Sequence, residues 1–297
     1  MKILVTGASG LIGSALVPHL ANQGHELVRL QRAKQPDSRP SWDPDTERIS
    51  LADAAPFDAV IHLAGETIAQ RWTAAAKRRI RDSRVKGTSL LSKALVNLSP
   101  SPKVLISASA TGYYGDRGDE LVDEQTASGS GFLAEVCRDW EDVTRPAAAH
   151  GIRVINLRFG IVLTPRSGAL GKMLPIFRLG LGGKLGHGRQ YWSWIAIDDL
   201  LAVIDCVLTK DTFAGPVNVV SPHPTTNVEF TDALGAVLRR PTFLGVPAFA
   251  LKVLAGEMAE TALLASTRVR SARLEQAGFQ FKFPELREAL RSLLLTR

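Results

Sequence analysis

The residues Thr6-Gly7-Ala8-Ser9-Gly10-Leu11-Ile12-Gly13 constrain this chain more than any other stretch. They follow a short apolar run over 2–6 and open an amphipathic stretch over 11–23, so strand, glycine-rich turn and helix come in immediate succession. Glycines at this spacing permit a tight turn, let backbone N–H groups approach a pyrophosphate, and allow the helix to pack closely on the strand. The helix N-terminus then attracts the negative charge. Three glycines alone say little, but this order of elements is the setting in which they mean a phosphate cradle. Gly7, Ser9, Gly10, Leu11, Ile12 and Gly13 are therefore candidate cofactor-binding residues.

Further along, short apolar runs alternate with helix-period stretches. Strands are expected over 2–6, 26–30, 58–64, 103–109, 153–163 and 216–220, and helices over 11–23, 73–97 and 131–149. Gly24 closes the first helix. Right-handed crossovers place helices on both faces of a parallel sheet, which is an α/β, doubly wound Rossmann fold. After about residue 165 the pattern changes to a glycine-rich stretch, short strands, and helices near 228–239, 247–265 and 284–295. The expected organisation is a dinucleotide-binding domain over 1–165, which the strand near 216–220 rejoins, and a smaller C-terminal α/β lobe over 166–297 on the substrate side.

The end of the second strand chooses between cofactors. A carboxylate about 20 residues beyond the glycines would hold a ribose 2′-hydroxyl. Here the strand ends Leu30-Gln31-Arg32-Ala33-Lys34, with no acid, and Arg32 offers a planar fork to a 2′-phosphate. NADP(H) is expected rather than NAD(H). The strand over 58–64 ends His62-Leu63-Ala64-Gly65-Glu66, whose small residues let backbone approach a ligand at the end of the sheet where ligands bind. His62 alone reads as a packed strand residue.

Composition narrows the partners. The 36 Lys and Arg against 29 Asp and Glu leave a net charge of +7, which favours anionic ligands. At 45% hydrophobic residues the 297-residue chain can bury a sizeable core. Cys137 and Cys206 form no disulfide framework, so a reducing compartment, by default the cytoplasm, is expected. Thr6, Gly7, Ser9 and Gly10 break the apolar run that a signal peptide would need, and no run suits a membrane span. The histidines never pair at metal-ligand spacing, and no Gly-x-Ser-x-Gly occurs. In the glycine-rich run over 180–189, Leu185 follows Lys184 where a P-loop needs Ser or Thr; with Trp192 and Trp194 nearby, that run reads as a basic lip of the substrate cleft. The basic helix with Lys77, Arg78, Arg79, Arg81, Arg84 and Lys86 reads as a solvated face with one cofactor contact. The expected partner is a small molecule, anionic or nucleotide-linked, and neither nucleic acid nor membrane.

Through these residues the chain resembles the extended branch of the short-chain dehydrogenase/reductase superfamily, the NAD-dependent epimerase/dehydratase-like proteins. The resemblance covers nearly the whole chain. Its markers are Thr6 to Gly13, Asp58 to Glu66, Ser107 to Gly115 and Trp194 to Leu200. More closely it resembles an atypical NADP-binding subgroup named only as epimerase family proteins, through Trp72, Asp82-Ser83-Arg84, Phe132 to Glu141, Arg178 to Gly183 and Phe281 to Leu286. That resemblance implies that Gln31, Arg32, Leu63, Ala64, Arg84 and Val162 contact NADP, beside Gly65 and Glu66.

One departure stands out. The superfamily uses a Ser with a Tyr-x-x-x-Lys on a helix, where lysine lowers the tyrosine pKa and the two share one helical face. This chain lacks the pair: its only tyrosines are Tyr113, Tyr114 and Tyr191, and the helix over 131–141 offers Phe132 with Val136 or Leu133 with Cys137. Ser109 stands where the family serine would, and Tyr113 is the candidate proton donor from the following loop, with Tyr114 and Glu66 as further candidates. Two readings follow: an NADP(H)-dependent oxidoreductase or nucleotide-sugar epimerase with Ser109 and Tyr113 as catalytic residues, or a catalytically silent NADP(H)-binding sensor or interaction protein.

Overall fold

The computed structural model describes residues 1–33, 40–51 and 54–295, so Lys34 lies outside the described residues. The first strand, β1 (Lys2–Thr6), is followed by α1 (Gly13–Asn22), β2 (Glu26–Arg32), β3 (Ser41–Asp43), β4 (Arg48–Ser50) and β5 (Ala59–His62). Next come α2 (Ala74–Val96), β6 (Val104–Ala110), a single helical turn Thr111–Tyr114, β7 (Leu121–Val122), α3 (Phe132–Asp142), α4 (Arg145–Ala149), β8 (Arg153–Phe159) and β9 (Ile161–Leu163). The rest is α5 (Gly168–Arg178), β10 (Tyr191–Trp192), β11 (Trp194–Ala196), α6 (Ile197–Thr209), β12 (Gly215–Val219), β13 (Thr225–Thr226), α7 (Asn227–Leu238), α8 (Ala248–Ala255), β14 (Arg268–Val269), α9 (Ala272–Gln276) and α10 (Leu286–Leu295).

An eight-stranded sheet runs β12-β8-β6-β5-β1-β2-β3-β4, parallel throughout except for the β3–β4 pair. The sheet is Rossmann-type and doubly wound, as the alternation of strand and helix patterns implies. Its central strands β1, β5 and β6 are buried on both faces because helices cover both. Ile3, Val5, Ile61 and Ile106 pack with Leu16 and Leu20 of α1 and with Leu200 and Ile204 of α6. The alternate residues Leu4, Val60 and Leu105 pack with Leu91 and Leu95 of α2. A separate core joins α5, α7 and α10 around Trp192, Trp194, Phe230 and Leu290.

Some boundaries differ from the sequence reading, for local reasons. The run over 153–163 is two strands, because the chain turns at Gly160, where a Cβ would lie 2.5 Å from the Ser193 carbonyl oxygen, and β9 then leaves the sheet to pair with β11. The apolar stretch over 247–265 is a shorter α8 ended by Gly256 at φ +61°, followed by one wide helical turn over Ala259–Leu264. Helices α5 and α6 lie where the sequence reading had placed only glycine-rich loop and short strands. The large sheet and its core draw on both sides of residue 165, since β12 pairs with β8 and α6 packs beside α1. Both tryptophans of the 180–195 region are core residues, their indole N–H groups donating to the carbonyls of Leu263 (3.3 Å) and His223 (3.1 Å).

Candidate functional site

The loop after β1 is shaped by what its glycines leave out. Gly7 adopts φ +67°, and a Cβ there would sit 2.7 Å from the Leu63 carbonyl carbon and 2.8 Å from the Ala64 nitrogen. At Gly13 a Cβ would lie 2.2 Å from the Gly7 carbonyl oxygen, so loop and helix can close on each other only without side chains. The Gly10 N–H donates to the Gly7 carbonyl at 2.9 Å and holds the turn.

Beside this loop opens a cleft of about 410 Å³, lined by Gly7, Ala8 and Ser9, by Gln31 and Arg32, and by Ala64, Gly65 and Glu66. Seven of the candidate cofactor residues thus share one cleft; Arg29, Trp42 and Pro44, which the sequence reading did not single out, line it as well, as does Ser83, a family marker. Arg32 reaches Asp45 at 2.5 Å across an exposed pair. Arg84 lies beneath Gly65, whose Cβ would be 3.3 Å from the guanidinium carbon. It donates to the carbonyls of Glu66 (2.9 Å) and Ile80 (3.0 Å) and stacks on Trp140, and burial lowers its pKa. At the other side of the loop, Leu11, Ile12, Leu63 and Val162 pack against the sheet core; a Cβ at Gly168 would lie 2.5 Å from Leu11 and 3.7 Å from the Val162 carbonyl oxygen.

His62 is structural. Fully buried, its ring sits between the hydroxyls of Thr6 (2.7 Å) and Thr88 (2.8 Å), and burial pushes its pKa down to about 4. The Thr6 hydroxyl also accepts from the N–H groups of Leu63 and Ala64, each at 3.2 Å, which ties the end of β5 to the start of the glycine loop.

At the end of β6 the chemistry changes from backbone to side chains. Ser109 Oγ donates to Glu141 Oε1 at 2.6 Å. Glu141, near the end of α3, is held by both sides of the Arg158 guanidinium, Nε and Nη2 each at 2.8 Å. Arg158 Nη1 donates to the Tyr114 hydroxyl at 2.9 Å, and Tyr114 donates to Asn218 Oδ1 at 2.8 Å. The guanidinium carbon lies 3.4 Å from the centre of the Tyr113 ring. Ser109 and Tyr113, paired in the sequence reading, therefore both meet one ion pair. Burial by itself would lower Arg158, but its hydrogen bonds to Glu141 and that carboxylate's charge more than offset this and hold it above its ordinary range. Tyr114 is raised to about 12, by burial first, with Arg158 opposing, so it is a neutral phenol.

The position of the missing dyad is apolar. Leu133 packs over Gly112, while Val136 and Cys137 are buried, and burial raises the Cys137 thiol to about 11. Arg117, four residues after Tyr113, lies beyond a turn closed by Gly115 at φ +67° and donates to the Tyr114 carbonyl at 3.0 Å. The sequence reading missed Glu141 and Arg158 as partners of the site. Arg158 carried a signal, an arginine between the apolar Leu157 and Phe159 near the end of a strand.

Comparison with known proteins decides the family. The pattern of the NAD dependent epimerase/dehydratase family matches residues 3–220. The chain belongs to that family. Residues 246–293 of this epimerase-family chain match a second pattern, a domain of unknown function. An epimerase family protein of Mycobacterium bovis is 42% identical over 290 residues, covering 97% of this chain and 96% of the relative. The crystal structure of the human epimerase family protein SDR39U1 with NADPH has 33% identity, a TM-score of 0.91, and full coverage of both chains. The nucleoside-diphosphate sugar epimerase of Corynebacterium glutamicum has 36% identity and a TM-score of 0.79, covering 99% of this chain and 58% of that one. The family resemblance read from the sequence is borne out over the whole length.

Proposed function

We propose that this epimerase-family protein binds NADP(H) along the glycine loop and acts as an oxidoreductase or epimerase on an alcohol or carbonyl group of a small, anionic or nucleotide-linked substrate. The residues fit the cofactor: the loop is closed only because Gly7 and Gly13 have no Cβ, and Arg32 with no acid at the end of β2 suits a 2′-phosphate. NADPH in the human relative supports the same reading. Gly7 to Gly13 would hold the pyrophosphate, Gln31 and Arg32 the adenosine phosphate, and Leu63 to Glu66, Arg84 and Val162 the remainder. Bound NADP(H) supplies the hydride donor or acceptor.

The observation that carries the reading is the Ser109–Glu141 hydrogen bond clamped by Arg158. Because the Ser109 proton is directed at a carboxylate, its lone pairs are free to accept from a substrate hydroxyl. A proton leaving that hydroxyl passes to Ser109 Oγ as the serine proton passes to Glu141, and the reverse transfer protonates a carbonyl oxygen. Arg158 holds that carboxylate in place through two hydrogen bonds and supports Tyr113, whose phenol is the second candidate donor.

Turnover with NADPH across a panel of carbonyl compounds and nucleotide sugars tests this. Ser109→Ala and Tyr113→Phe are expected to keep NADPH affinity within about threefold while lowering turnover by roughly 10²–10⁴-fold. Full activity in Ser109→Ala would overturn the proton path. NADPH binding without turnover on any substrate would favour the silent-sensor reading, which rests on the apolar residues at the dyad position.

A further inference from the structure

The large hydrophobic side chains left exposed are not scattered. Eight of the eleven among the described residues lie on two segments, over 176–181 and over 243–254. These segments form one surface. Gly183 bridges to Phe243 and Leu185 to Val246, and a Cβ on Gly183 would lie 2.2 Å from the Leu244 backbone. Helix α8 follows directly, with Phe249 and Val253 one turn apart on its outer side.

The charge is segregated to the same place. Residues 172–189 carry Lys172, Arg178, Lys184 and Arg189, residues 239–254 carry Arg239, Arg240 and Lys252, and neither segment has an Asp or Glu. Those seven cations equal the net charge of the whole chain; the other 29 Lys and Arg balance its 29 Asp and Glu. All seven are exposed. Among the described residues only Lys252 has an ion-pair partner, Glu260 at 2.5 Å. Of the other bordering acids, Glu257 is held by Lys77, and Asp232 accepts from Thr242 at 3.4 Å.

We propose that this face docks on an anionic lipid surface, with Phe243, Phe249, Val253 and Leu254 dipping below the headgroups and the seven cations among them. An apolar patch ringed by Lys and Arg is the make-up of a helix or loop that lies in a bilayer interface. The shape favours a bilayer over a folded partner. Leu179, Phe243, Phe249, Val253 and Leu254 are each between 71% and 78% exposed, so they project from the surface, and a deformable medium takes them without matching pockets. A second copy on the same face would set seven cations against seven. No helix of the described residues is long and apolar enough to cross a membrane, so the contact is peripheral. It departs from the sequence reading, which expected no membrane partner.

Sedimentation with vesicles tests this, using phosphatidylcholine alone or mixed with phosphatidylglycerol. The full chain is expected to pellet with the mixed vesicles only, and less as salt is raised. Phe249→Ser with Val253→Ser is expected to weaken that binding at least about tenfold, the loss of two buried apolar side chains. Arg239→Ala with Arg240→Ala is expected to weaken it by roughly fivefold per cation. Unchanged melting temperature and NADPH affinity establish that both variants are folded. Failure to pellet with mixed vesicles at low salt overturns the proposal. So does a Phe249→Ser, Val253→Ser variant that binds as well as the parent, since attraction is then charge alone. A dimer in solution that the same variant dissociates assigns the face to a second copy and also overturns it.

Discussion

Along the C-terminal edge of the sheet, the glycine-loop end and the β6 end are built in opposite ways. At the glycine loop the chain presents backbone: Gly7 and Gly13 work by lacking a side chain, and the polar side chains at the end of β2, Gln31 and Arg32, are exposed. At the end of β6 it presents side chains, a buried cluster in which Ser109, Glu141, Arg158, Tyr114 and Asn218 satisfy one another. A solvated cradle tolerates changes in its neighbours, whereas a buried charge network is cooperative and fails when one member is lost. Stability and binding should therefore separate between these two ends.

The largest effect is expected at the buried pair. Arg158→Met leaves Glu141 without its partner and should cost about 3–5 kcal/mol in urea unfolding. Arg158→Met with Glu141→Gln should recover part of that loss, because no charge is then left unpaired. If Arg32→Ala destabilised the fold as much as Arg158→Met, the division between a solvated and a structural end would be wrong.

Where the two ends meet, pH is the probe. His62 links Thr6 of the loop to Thr88 on α2, and Thr88 also accepts from Trp140 of α3 at 2.8 Å. Its folded pKa of about 4 lies below the ordinary 6.5, so the unfolded chain binds the extra proton. The contribution is complete above pH 6.5 and is lost as pH falls towards 4. It amounts to roughly 3 kcal/mol for a shift of this size. Unfolding free energies of the parent and of His62→Gln, measured across that window, should converge on acidification. Parallel curves would mean that His62 does not titrate with folding.

The same contrast explains what the sequence disclosed. The glycine loop was legible because its residues are neighbours in the chain and backbone geometry dictates their spacing. The apolar run over 2–6 likewise marked a strand, while only the structure shows that Ile3 and Val5 meet α1 and Leu4 meets α2. The reacting end was half legible: Ser109 and Tyr113 lie in one marker, but Glu141 and Arg158 come from α3 and β8, and nothing local says that they meet. Asp199 is similar. Its carboxylate accepts from the N–H groups of Lys282 (2.6 Å) and Phe283 (3.0 Å), which joins two markers 83 residues apart. Helix α6 was hidden because its residues from Leu200 through Leu208 are apolar except for Asp205 and give little periodicity to read.

At the cradle end, a smaller and purely ligand-dependent effect is expected. Arg32→Ala should weaken NADPH by about 1–3 kcal/mol, the range for one lost charge-assisted contact, and leave NADH nearly unchanged. Titration of both nucleotides by intrinsic fluorescence reads this directly. Equal affinities for NADPH and NADH in the parent protein would remove Arg32 from the cofactor reading altogether.

The smallest effect sharpens that reading, because Arg32 is not idle in the structure. Its guanidinium is paired with Asp45 at 2.5 Å, in the turn between β3 and β4, and both side chains are more than half exposed. An exposed pair of this kind is worth only about 0–1 kcal/mol, so a 2′-phosphate can displace or share it at little cost. The guanidinium has five N–H donors, enough for two oxyanions at once, but Asp45 then lies close to the phosphate and repels it. Asp45→Asn removes that charge while keeping the side-chain shape. It should tighten NADPH by about two- to fivefold, leave NADH unchanged, and narrow the difference from the parent as salt is raised. The fold should be unaffected, since the pair is solvated. Weaker NADPH binding in Asp45→Asn would reverse the assignment: Asp45 would then be orienting Arg32 towards the phosphate, and the exposed end of the cleft would owe part of its selectivity to a fixed side-chain geometry after all.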